Sequence, residues 1–169
     1  LPDNAVKESW QRVETALKEI GYKMPRHKIV VNLAPADIRK EGSAYDLPIA
    51  IGILKASEQI VDKIDLSKYL LMGELSLDGS IQPIKGALPI SVQARKENFK
   101  GFILPKFNER EAGIVDKLDV YGVNNLQEVI AIVEGKSTAK PVFVDTRAEF
   151  EENMRSIRYD FTDVKGQEN

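Results

Sequence analysis

The chain has 169 residues, 43% hydrophobic and 30% charged, with a formal net charge of −2 and no cysteine. That length supports one domain, or one domain with an appendage, around a real hydrophobic core. The composition excludes disulfides, cysteine-type zinc sites and a thiol nucleophile, and the small net charge gives no global pull toward nucleic acid or anionic lipid.

No apolar run approaches ~18 residues, so no membrane span is expected, and a cysteine-free chain fits a reducing cytoplasm. Leu1 in place of methionine suggests a trimmed piece of a longer protein.

In chain order, Val6, Trp10, Val13, Leu17 and Ile20 recur with helical spacing behind the capping residues Asp3 and Asn4, and Gly21 closes the run. Lys28–Leu33 reads as a strand. Pro35–Tyr45 is a loop too polar for core and too long for a minimal connector, which marks it as a place for function. Asp46 is expected to cap a helix through Ser57 that is apolar almost all round, with Pro48 tolerated in its first turn.

Tyr69–Leu77 and Ser80–Ile84 flank Asp78-Gly79, a two-residue hairpin signal. A helix is expected from about Leu88 to Asn98, strands at Gly101–Pro105 and Asp119–Val123, a helix around Asn108–Val115 between them, and a last one at Leu126–Glu134. This alternation predicts an α/β domain over residues 1–134. GKSTAKP, residues 135–141, opens a linker-like, then acidic and polar segment to about residue 158. Tyr159–Asn169 reads as an apolar-anchored turn with a helix about to start.

Chemistry-bearing residues are sparse. The single histidine, His27, lies between Arg26 and Lys28 and reads as a solvated strand-start residue. Asp37, Glu41 and Asp46 can be grouped as paired carboxylates or Mg²⁺ ligands, but a helix cap at Asp46 and loop solvation for the others is the preferred reading. Arg39, Lys40, Lys85, Lys136 and Lys140 can form local phosphate-binding clusters or stand as ordinary solvated cations.

Three long runs carry a resemblance: LPDNAVKES at the start, NLAPADIRKEGSAYDLPIA at 32–50 and GELSLDGSIQPIKG at 73–86. Together they closely resemble the magnesium-chelatase-like, competence ComM-type (YifB-like) family of bacterial AAA+ proteins. In that family they belong to an N-terminal domain built like the proteolytic domain of Lon. The resemblance implies a ribosomal-protein-S5-domain-2-like α/β (α+β) two-layer sandwich. It also implies that Tyr159–Asn169, an aromatic followed by D-V-x-G-Q, is the start of a truncated AAA+ ATPase domain, ahead of its phosphate-binding loop.

Lon peptidases pair a serine nucleophile with a lysine whose pKa is depressed by desolvation. Their serine lies in K-D-G-P-S-A-G, onto which Lys40-Glu41-Gly42 aligns, so that Ala44 takes the serine position and Ser43 is its neighbour. Their lysine ends P-I-G-G-L-K, matched here by Pro83–Leu88, so Leu88 takes that position and Lys85 sits three residues early. Both members of the dyad are thereby replaced.

The resemblance therefore implies no catalytic residue and no cofactor in this stretch. ATP and magnesium are expected for the full-length protein, with DNA, single- or double-stranded or branched, as partner and a hexamer built through the AAA+ ring. Arg39, Lys40 and Lys85 are the DNA-binding candidates. A protein-binding adaptor gripping a client with the Pro35–Tyr45 loop, or a residual Ser-Lys peptidase, are the alternative readings.

Overall fold

The computed structural model describes residues 3–26 and 42–166. The strand expected at Lys28–Leu33 and most of the Pro35–Tyr45 loop lie outside them. Helix α1 spans Asp3–Glu19 and ends where the Tyr22 and Gly21 amides donate to the carbonyls of Leu17 (2.8 Å) and Lys18 (3.1 Å). Its buried face is Ser9, Val13, Ala16 and Leu17. Val6 and Trp10, expected on the core stripe, are 43% and 38% exposed. The helix is rolled so that Ser9 and Arg12 reach a buried carboxylate.

That carboxylate is Asp46, the first residue of α2 (Asp46–Ala56). It is not the helix cap expected from sequence, for Tyr45 holds the N-cap position without a side-chain cap bond. Asp46 is instead fully buried, accepting from the Ser9 hydroxyl, from Arg12 Nε (2.7 Å) and Nη2 (3.0 Å), and from the Leu75 amide (3.1 Å). The same hydrogen bond is the main cause that raises the Arg12 pKa above its ordinary value. The rest of α2 is apolar as expected, with Leu47, Ala50, Ile53 and Leu54 fully buried.

Strands β1 (Tyr69–Leu71), β4 (Gly101–Pro105) and β5 (Asp119–Val123) form a parallel sheet in the order β1-β4-β5. Alternation sorts their side chains between two cores. Leu71, Ile103 and Val123 join α1, α2 and α5 (Leu126–Val133) on one face. Leu70, Met72, Phe102, Leu104 and Val120 join α3 (Ala87–Lys96) and α4 (Glu109–Gly113) on the other. The α/β class expected from sequence holds, with helices shared between both faces of the sheet rather than gathered on one.

Strands β2 (Glu74–Leu75) and β3 (Ile81–Gln82) make a separate antiparallel hairpin. Its turn is longer than the two-residue form expected. The Gly79 amide donates to the Ser76 carbonyl and the Ser76 amide to the Ser80 carbonyl, each at 2.9 Å, with Gly79 at φ +90°. This is a type I turn followed by a left-handed glycine. Asp78 accepts from both the amide and the hydroxyl of Ser80, which holds its pKa below the usual carboxylate value.

Beyond α5, the run expected to be linker lies against the domain. The Val142 amide donates to the Val120 carbonyl at 2.8 Å, and Val142 and Val144 pack over Gly113, while Phe143 between them is 85% exposed. Thr146–Gly166 is a single helix, α6, where sequence suggested a polar segment and then a turn. Among the described residues no helix is long and apolar enough to cross a membrane.

Removing Asp46 leaves the Ser9 hydroxyl, two Arg12 N–H groups and the Leu75 amide without their acceptor. Because the Arg12 side chain is 24% exposed and can rehydrate, Asp46→Ala is expected to cost about 3 kcal/mol, the low end for breaking a buried pair. Urea unfolding measures it; an unchanged midpoint would refute the organising role of this carboxylate.

Candidate functional site

Gly42–Tyr45 form one 3₁₀ turn leading into α2. The Ala44 carbonyl accepts the Gly73 amide and the Gly73 carbonyl accepts the Leu47 amide, each at 3.0 Å, so the turn is stitched to the corner between β1 and β2. A Cβ on Gly73 would fall 2.6 Å from Ile81 Cγ2, which is why the backbone can come this close only with glycine here. Ala44 is 5% exposed and packs with Leu70, Met72, Ala87 and Phe102. Ser43 beside it is half-buried.

The second half of the site is the turn before α3. Asn108, 3% exposed, accepts the Ile84 amide and donates to the Ile84 carbonyl, both at 3.0 Å, while Glu111 accepts the Leu88 amide at 3.0 Å. These bonds lock the 83–88 turn onto the start of α4. Leu88 packs half-buried against the same apolar cluster that holds Ala44. The two positions singled out from sequence therefore meet in one apolar cluster, and neither side chain can accept or deliver a proton.

Leu88 also lines a groove of about 540 Å³ with Val92, Ile114 and Val115, rimmed by the Arg95–Asp116 ion pair at 2.7 Å. Lys85 projects from the locked turn and is exposed. Arg39 and Lys40 lie outside the described residues, as do His27, Asp37 and Glu41, so only Lys85 of the three DNA-binding candidates has a described position. Lys136 and Lys140 are exposed, and Lys136 faces Glu134 at 3.6 Å.

Asn108 and Glu111 went unnoticed in the sequence, although an asparagine placed just past a buried strand was a signal that the strand end is polar-clamped. Among the described residues no three acidic or histidine side chains gather as metal ligands. Gly135-Lys136-Ser137 looks like the end of a phosphate-binding loop, but it does not fit a phosphate. It follows the C-terminus of α5, and its three amides donate to the carbonyls of Ile132 and Ala131.

Residues 1–108 match the family model described as subunit ChlI of Mg-chelatase. The uncharacterized protein YifB of Escherichia coli K12 is 41% identical over 99% of the chain and 32% of its own length. The competence protein ComM of Haemophilus influenzae Rd is 37% identical over 99% of the chain and 33% of its own length. Lon protease 2 of Bacillus subtilis is 29% identical over 85% of the chain and 26% of its own length. The chain thus spans about a third of the length of the YifB and ComM relatives.

Since the resemblance aligns alanine and leucine with a serine–lysine pair, the chain is expected to leave casein and fluorogenic peptides intact. Cleavage that disappears in Ser43→Ala would overturn this.

Proposed function

We propose that this chain, which belongs to the family of the Mg-chelatase subunit ChlI, is the non-catalytic N-terminal domain of a AAA+ ATPase that works on DNA. The observation that carries the first half is the meeting of Ala44 and Leu88 in one apolar cluster. A Lon-like scaffold with its reacting pair replaced by packed alkyl groups is suited to binding and assembly, having neither nucleophile nor base.

In this reading residues 1–134 are the Lon-like domain, 135–158 its linker, and 159–169 the first turns of the ATPase module, with α6 carrying the chain from one to the other. ATP and magnesium act in that module, and its ring, a hexamer, assembles the whole. DNA is the substrate of the motor in branch migration or recombination, in keeping with a relative named as a competence protein. The contribution of this domain is ring assembly and phosphate contact through Arg39, Lys40 and Lys85. The second reading, a protein-binding adaptor, is favoured by the apolar groove of Leu88, Val92, Ile114 and Val115.

Two measurements test the proposal. ATP hydrolysis is expected to be absent from the 169-residue chain and to emerge on extension by about 200 residues, one further domain; turnover by the short chain alone would refute the boundary. In the full-length protein, Arg39→Ala, Lys40→Ala and Lys85→Ala combined are expected to weaken DNA binding and to lower the salt slope by about one unit per phosphate contact. Unchanged affinity and slope would transfer the site to the adaptor reading.

A further inference from the structure

Strand β4 ends at Pro105, and the next three residues, Lys106–Asn108, make one 3₁₀ turn at the carboxyl end of the parallel sheet. Ligands of open α/β sheets gather at that end of the strands. Asn108 is turned inward and clamps Ile84 through two bonds of 3.0 Å. Its neighbour Phe107 is turned outward and is 81% exposed. The clamp fixes more than the turn. It ties the backbone just before Lys85 to the turn that carries Phe107. The surface there carries one aromatic ring, with Lys106 before it in the chain and Lys85 following the clamped Ile84.

The charges around it are sorted. Among the described residues neither Lys85 nor Lys106 belongs to an ion pair, and both are exposed. The two acids of α4 lie in other places. Glu109 folds over Gly122 of β5, and Glu111 accepts the Leu88 amide. Near the clamp in the chain, Gln82, Lys85, Lys106 and Arg110 are exposed and polar. An aromatic on the same clamp as two lysines outside any described ion pair, Lys85 and Lys106, suits a ligand with alternating flat faces and negative charges.

We propose that Phe107 is a base-stacking platform for single-stranded nucleic acid, with Lys85 and Lys106 holding the phosphates on either side of the stacked base. A ring that is 81% exposed accepts any base, and the cations follow the backbone without reading sequence. Bases inside a duplex are stacked on each other, so the platform selects unpaired strands. The inference deepens the DNA-binding reading above and rests on it.

The test uses the full-length protein with a fluorescent oligothymidine and a duplex of equal length, titrated across a salt series. Phe107→Ala is expected to weaken oligothymidine binding about 5- to 100-fold with its salt slope unchanged, and to leave duplex binding nearly as it was. Phe107→Tyr restores it. Lys85→Ala and Lys106→Ala each lower the slope by about 0.7. Because Phe107 is so exposed, its thermal unfolding midpoint stays at the wild-type value.

If Phe107→Ala binds oligothymidine as tightly as wild type while the Arg39, Lys40 and Lys85 triple variant does not, the platform is refuted and the DNA reading survives. If the wild-type protein binds neither probe, both fall. A Phe107→Ala variant altered only in self-association assigns the ring to a protein contact and refutes the platform.

Discussion

A carboxylate shut away from water needs donors on every side, and Asp46 draws them from two other elements. Ser9 and Arg12 come from α1, and the Leu75 amide comes from the hairpin. Asp46 itself opens α2, so one side chain fixes the mutual placement of the first helix, the second helix and the hairpin. Each oxygen accepts two bonds, which is what makes such burial tolerable. The turn that carries Ala44 immediately precedes it. A second tie secures the region from the other side, where Gln59 accepts the Lys23 amide at 2.9 Å and donates to the Lys23 carbonyl at 2.7 Å.

How much of this was legible in the sequence depended on how local the deciding force was. Gly101–Pro105 and Asp119–Val123 are strands in sequence and structure alike, since a short apolar run between turn formers has few other ways to be buried. The apolar helix of α2 was equally plain. The roll of α1 was not, because Val6 and Trp10 satisfy the helical period as well as Ser9 does, and only the distant Asp46 chooses between them. The hairpin turn was located but one residue short, as the Ser80 contacts to Asp78 hold Gly79 in the left-handed region after a type I turn. Helix α6 was missed because Phe150, Met154 and Ile157 make too thin an apolar stripe among its charges, and all three are exposed.

For the candidate site, motif alignment and packing contribute different things. The resemblance named Ala44 and Leu88, 44 residues apart in the chain, and the structure puts both against one apolar cluster. No periodicity in either segment would have paired them. Arg39 and Lys40, by contrast, rest on sequence alone. The basic and aromatic surface at the end of β4 depends on Asn108, whose role is visible only once Ile84 is folded onto it. Such clamps are long-range by nature, and a single sequence carries no trace of the partner.

The strip formed by Val142 and Val144 has a consequence for the solution behaviour of the molecule. Strand β5 is the last strand of its sheet, and an uncovered outer strand presents its amides and carbonyls to any other chain that passes. The chain covers that side with its own backbone, through the bond from Val142 to Val120 and two valines resting over Gly113. Since the strip is also the root of α6, whatever moves that helix away from the body uncovers a sticky β-edge. Protection against aggregation and the position of α6 are thus coupled through three residues.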